Sequence, residues 1–393
     1  MPQQIAFLAQ GSVYTVDAEG RQLHQLTVKL NAHAFSWSPD GRRIACLAQH
    51  LVANEPPTYS LYVLEADGSH LRCLFENQRT IRWQWAPDSQ HLVITQSEEQ
   101  YLSPSGSATV SLLNLESGEM RTLSRELVHP FWSPQTQELA FLWKHDAHRI
   151  WVMDADGSQS RVLFQSALAV GPYSWSSDGQ YLATYAWSRS QWGPGYEDAD
   201  RLYILDAQGQ TVFQWDWGAS VLAWAPDSQR LACVATYQYY EDDEDQADDF
   251  VSEDEYVYVL SPDGFSIQAV APAAMEVGIT WSPDGQKLAF VHEDEGRYAL
   301  GVLDLVEARL HLVPMEEQGD RGHLRPDTPT WSPDGGQIAF TPPGQEGLYV
   351  VDLSQMTAPR CVTDRTWLKS TEPGLEHLFV TGPAWQPVSK AAS

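Results

Sequence analysis

Four cysteines in 393 residues are too few, and wrongly spaced, for a disulfide framework or a zinc site. Two of them, Cys46 and Cys233, occupy one equivalent place in repeated stretches (IACLA, LACVA) where other copies carry Phe (LAFLW, LAFVH, IAFTP), which marks them as small core hydrophobes. Cys73 and Cys361 fall near a strand of their own repeats. Basic residues are scarce as well: 24 Lys and Arg stand against 52 Asp and Glu, a formal charge of -28. That balance repels phosphate backbones and anionic lipid, so nucleic acid is excluded as a direct partner. No apolar run approaches the length of a membrane span, and Met1 to Leu30 lacks a basic start followed by an unbroken apolar stretch. These absences predict a soluble cytoplasmic protein without membrane attachment. Amphipathic stretches of period 3.6 are missing, which excludes a helical solenoid. No HExxH, GxSxG, P-loop or GxGxxG stands in strand-to-helix context, so neither a catalytic residue nor a cofactor is predicted.

What is present is a repeat. With 43% hydrophobic and 11% aromatic residues the chain has material for a large core. One pattern returns along it: FSWSPDGRRIACLA from Phe35, RWQWAPDSQHLVIT from Arg82, PFWSPQTQELAFLW from Pro130 and YSWSSDGQYLATYA from Tyr173. It continues as LAWAPDSQRLACVA from Leu222, ITWSPDGQKLAFVH from Ile279, PTWSPDGGQIAFTP from Pro329 and a truncated PAWQPVSK from Pro383. The repeated tryptophans are Trp37, Trp85, Trp132, Trp175, Trp224, Trp281, Trp331 and Trp385, at separations between 43 and 57 residues. That is the length of a four-stranded blade or slightly more.

Each unit parses physically. A short strand ends at the Trp; Pro leaves the ladder and Asp-Gly makes a tight turn, Gly taking φ > 0 and Asp bonding local N–H groups. An apolar second strand follows (IACLA, LAFVH), then a variable loop. A third strand ends in another turn (SLYVLEADGS, RIWVMDADGS, RLYILDAQGQ), and a short fourth completes the sheet (LRCLF, SRVLF). Such a sheet exposes both faces, and stacking in a ring buries them. The N-terminus opens with second, third and fourth strands (QQIAFLAQ, SVYTVDAEG, HQLTV) and no Trp strand, whereas the C-terminus stops after one. The predicted fold is therefore all-β: one domain over 1–393, an eight-bladed β-propeller of four-stranded antiparallel blades. The N-terminal strands pair with the C-terminal strand, which removes the sheet edges. A seven-bladed ring is the alternative.

These motifs resemble the TolB-like, WD40-like (PD40) propeller repeats, whose blades carry WSPDG, then IAF, then LYVMDADG. The resemblance covers nearly the whole chain. It implies a propeller fold and leaves the role open, since the family has many roles, lyases among them. The lyases hold a metal with histidines near the channel, which directs attention to His33, His129, His292 and His377 beside their plainer reading as surface or core residues.

For the eight repeated tryptophans, burial of roughly 150 to 250 Å² each at ~25 cal/mol/Å² gives about 4 to 6 kcal/mol as a gross upper limit. Core packing therefore accounts for them. The DADG-like segments resemble calcium loops superficially, but the same slot reads EADG at Glu65, DAEG at Asp17 and DAQG at Asp206, so they are read as turns.

Function is expected where insertions gather. The long segments run from Gln49 to Tyr59, Ser97 to Ser107, Trp187 to Asp200, Tyr237 to Glu255, Met315 to Pro329 and Thr366 to Glu376, all on one face of the disc. Two are rich in aromatics and acids. One contributes Trp187, Trp192, Tyr196, Glu197 and Asp198; the next, an acidic loop insertion over 237–255 expected to be mobile, contributes Tyr237, Tyr239, Tyr240, Asp242, Asp243 and Asp245. Ten of the fifteen residues from Glu241 to Glu255 are acidic, which suits a solvated loop, a docking surface for a basic partner, or a divalent-ion site. Trp187 and Trp192 in a loop favour docking, with the acids as a steering rim. Trp215 and Trp217 are read as core or inter-blade filler. The expectation is a non-enzymatic scaffold for a protein or peptide with a basic surface, without a metal. The competing reading is a lyase or hydrolase acting on a small or carbohydrate ligand at the channel mouth.

Overall fold

The computed structural model describes residues 3–53, 55–97, 108–187, 201–216, 219–240, 250–262, 267–272, 278–294, 297–314, 328–342, 347–354, 358–363 and 380–388. Among them there is no helix, and the strands form eight sheets of four. Every pairing is antiparallel between neighbours in sequence, save one. The fold is an all-β, eight-bladed β-propeller; the blades are named below by their tryptophans.

The exception is the closure expected from the chain ends. Val380–Trp385 pairs with Gln4–Ala9, matching Ile5 with Trp385, Ala6 with Ala384 and Ala9 with Val380. Gln4–Ala9 then pairs with Ser12–Asp17, and that strand with His24–Gln25. The composite sheet sits between two complete blades by bonds that pass through the repeated indoles. Trp37 Nε1 donates to the Ala384 carbonyl at 3.1 Å, and Trp385 Nε1 donates to the Thr330 carbonyl at 3.1 Å.

By internal packing the chain divides into two compact units. The first holds the Trp331, Trp385, Trp37 and Trp85 blades and most of the Trp132 blade; the second holds the Trp175, Trp224 and Trp281 blades with residues 162–165 of the preceding outer strand. Both use one construction. In the second, Trp224 Nε1 donates to Ser174 O at 2.9 Å and Trp281 Nε1 to Ala223 O at 2.8 Å. Each of these four indoles reaches the carbonyl just before the previous blade's Trp, so at these positions a residue chosen for its apolar area also satisfies its polar atom. The Phe of the IAF motif fills the blade centre: Phe7, Phe141, Phe290 and Phe340 are the largest fully buried side chains. Cys46 and Cys233, in the same slot, are fully buried, and burial pushes each thiol up to about 12.

The WSPDG turn is a small hydrogen-bonded device. Ser38 Oγ donates to Asp40 Oδ1 at 2.6 Å and accepts from Arg43 N at 2.9 Å, while Asp40 Oδ1 accepts from Arg42 N at 3.1 Å. Gly41 stands at φ +67°, and a Cβ there would strike the Pro387 carbonyl of the adjoining blade. Ser282 with Asp284 and Ser332 with Asp334 repeat the device. Two blades read APDS instead. Ala86 and Ala225 lose the hydroxyl, but Ser89 and Ser228 occupy the glycine position at φ +59° and +60°. Their Oγ atoms accept from Asp40 N and Asp178 N of the preceding blade, both at 3.0 Å. The aspartate bereft of its serine takes a new partner six residues after the Trp, His91 for Asp88 and Arg230 for Asp227. The DADG segments are turns: Gly157 N donates to Asp154 O, and Ser158 N to Asp156 Oδ1, both at 2.8 Å.

Candidate functional site

The residues singled out from sequence fall into two groups. Trp192, Tyr196, Glu197, Asp198, Asp242, Asp243 and Asp245 lie outside the described residues. Trp187 was expected in a loop; it is instead the last residue of the strand Tyr181–Trp187, paired with Ala169. Likewise the segment from Tyr237 does not leave the sheet at once. Leu231–Tyr240 and Phe250–Leu260 form a ladder of ten and eleven residues, matching Tyr237 with Asp254, Tyr239 with Ser252 and Tyr240 with Phe250. The corresponding strands of the Trp281 blade have eight residues each. Alternating Tyr and polar residues suit an extended chain as well as a loop, so the loop expectation began too early. Residues 241–249 lie outside the described residues.

Trp215 makes an edge contact with Tyr258 at 4.9 Å, in keeping with the filler reading, and Trp217 is outside the described residues. His33 is exposed near Tyr59, His129 is exposed on its strand, and His292 is buried in the strand Lys287–Asp294. His377 lies outside the described residues. Among the described residues no three His, Cys, Asp or Glu side chains gather as a metal site would need.

A feature the sequence reading did not single out lies in the first unit, between the Trp85 and Trp132 blades. A cavity of about 260 Å³ opens there beside the two turns. Its wall is apolar, from Ala86, Leu112 and Trp132, and its rim carries Asp88, Glu119 and Asp156 with Arg121 as the opposing charge. Inside it, His91 is held at both nitrogens: Nδ1 donates to Asp88 Oδ2 at 2.6 Å, and Asn114 Nδ2 donates to Nε2 at 3.0 Å. Burial would raise the Asp88 carboxyl, but bonds from the Gln90 amide and from His91 outweigh it and hold the group below its ordinary value. Asp156 is likewise lowered, by bonds from Ser158 and by the charge of Arg121.

Three other junctions are bridged by an arginine, whereas this one is open. At the Trp224–Trp281 junction, Arg230 lies over the Trp281 ring at 5.0 Å and donates to Gly285 O at 2.7 Å. Where the Trp37 blade meets the Trp85 blade, Arg72 donates to Leu115 O at 2.9 Å. Arg360 crosses to Ala18 O in the same way. His91 holds the place of Arg230 and is too short to cross. Arg121, paired with Leu112 as Arg72 is with Val63, remains exposed, and among the described residues it bonds no carbonyl. One more atom is left over: the Trp132 Nε1 is buried and, among the described residues, finds no acceptor. In sequence the difference is a single residue, APDSQH at His91 against APDSQR at Arg230.

No protein-family model matches this chain, and no curated protein does. Solved structures do. The β-propeller domain of the trilobed protease from Pyrococcus furiosus is 11% identical, with 85% of this chain and 98% of that chain covered at a TM-score of 0.52. An oligogalacturonate lyase in complex with manganese is 15% identical over 82% of this chain and 85% of its own, at 0.50. TolB from Acinetobacter baumannii is 14% identical over 81% of each chain, at 0.41. These likenesses are of fold. A propeller similar to both proteases' domains and lyases carries its role in its sites.

Proposed function

We propose that this protein is a non-enzymatic interaction scaffold that takes a protein or peptide partner with a basic surface, in the cytoplasm, through the segments about Trp187 and Tyr237. The observation that supports this most directly is the lengthened ladder Leu231–Tyr240 with Phe250–Leu260, which carries three tyrosines on one strand and Glu253, Asp254 and Glu255 on the other. Tyrosine supplies contact area at small entropic cost, and carboxylates steer a cationic partner toward it. The excess of 52 acidic over 24 basic side chains extends the same field over the chain. Affinity capture from the native source, with the partner identified, tests it. Replacing Tyr237, Tyr239 and Tyr240 by Ser, and separately Asp242, Asp243 and Asp245 by Asn, is expected to release the partner, and higher salt to slow its capture. A partner retained equally by both variants refutes the reading.

A further inference from the structure

We propose that the cavity between the Trp85 and Trp132 blades is a receptor for an arginine side chain presented by a partner polypeptide, a site separate from the tyrosine-rich ladder. At three other junctions the chain's own Arg72, Arg230 and Arg360 cross from one blade to a backbone carbonyl of the next. Here His91 and Arg121 do not cross, and an open space of about 260 Å³ remains. The register equivalent of Leu115, whose carbonyl accepts from Arg72, is Ala155, and it lines that space.

The lining matches the ligand along its length. Leu112 and Trp132 give an apolar wall for the methylene stem, and Glu119, Asp156 and Asp88 place carboxylates at the mouth for the guanidinium. Asp88 is already engaged by His91 and one oxygen of Asp156 by the Ser158 amide, which leaves Glu119 and the second oxygen of Asp156 as the acceptors. The planar fork favours guanidinium over ammonium, because two acceptors and a carbonyl can be met at once. Arg121, the one Lys or Arg on the rim among the described residues, is the ligand's competitor.

The test uses the full chain and acetyl-Gly-Arg-Gly-amide, titrated calorimetrically against the same peptide carrying citrulline, which keeps shape and removes charge. Saturable binding with a dissociation constant of about 1 mM or tighter is expected for the arginine peptide only. His91→Arg supplies an internal guanidinium, as Arg230 does, and should abolish binding. Glu119→Gln with Asp156→Asn should weaken it about fivefold to tenfold, as loss of charge-assisted bonds at a partly exposed site does. Arg121→Ala should strengthen it. The rim variants guard against misfolding of His91→Arg, which circular dichroism would reveal. Equal binding of citrulline, no saturation by about 10 mM, or binding unmoved by the rim variants overturns the proposal. So does loss of binding in the Tyr237, Tyr239 and Tyr240 variant, which would put the peptide on the ladder instead.

Discussion

Replacing Trp37 and Trp132 in turn by Phe isolates the hydrogen bond that ties one blade to the next. The two indoles occupy the same repeat position, belong to the same compact unit, and are 8% and 5% exposed. Trp→Phe trims a similar buried volume at each, which costs about 1 to 2 kcal/mol through lost transfer energy and a residual cavity. They differ in the N–H. At Trp37 it donates to Ala384 O at 3.1 Å, a neutral bond contributing about 1 kcal/mol net, so Trp37→Phe should destabilise by about 2 to 3 kcal/mol. At Trp132 the buried donor finds no acceptor among the described residues, and removing it relieves a penalty of about 1 to 3 kcal/mol. Trp132→Phe should therefore lie near neutrality, about 2 kcal/mol or more above its counterpart. Urea unfolding followed by far-UV circular dichroism reads the gap, given unchanged m-values. A gap below about 0.5 kcal/mol, or one of opposite sign, refutes the view that these bonds couple blades energetically.

Two further outcomes follow from the same structure. In native protein at about pH 8, Cys46 and Cys233 should resist alkylation while Cys73 and Cys361, which are only half-buried, are modified; peptide mass spectrometry checks this, and early labelling of Cys233 would contradict its buried placement. Burial raises the Asp284 carboxyl, but the Ser282 hydroxyl, the Gln286 amide and Lys287 bring it below its ordinary value, so its stabilising contribution is present above about pH 4 and lost as pH falls through the lowered folded value. Ser282→Ala should flatten the acid limb of the stability–pH curve, and an unchanged slope below about pH 4 would contradict this.

Blade count, blade composition and closure were legible because each is written locally: an indole, a proline that quits the ladder, and a residue at φ > 0, repeated in phase. Even the split sheet could be read from an N-terminus lacking a Trp strand and a C-terminus ending on one, and Ile5 opposite Trp385 bears this out. Strand ends were less legible. Trp187 and Tyr237 were placed outside their strands, since an alternating polar and aromatic stretch has no mark for where pairing stops.

The groove beside Trp132 belongs to the tertiary structure alone. From sequence, His91 and Arg121 are unremarkable variants at repeat positions. Only packing shows that Arg230 and Arg72 cross to the neighbouring sheet, whereas those two residues leave a space. The reason is physical: a repeat specifies the sheet it forms, by local turns and alternating burial, but whether a gap between sheets is filled depends on side-chain length and reach from two blades at once.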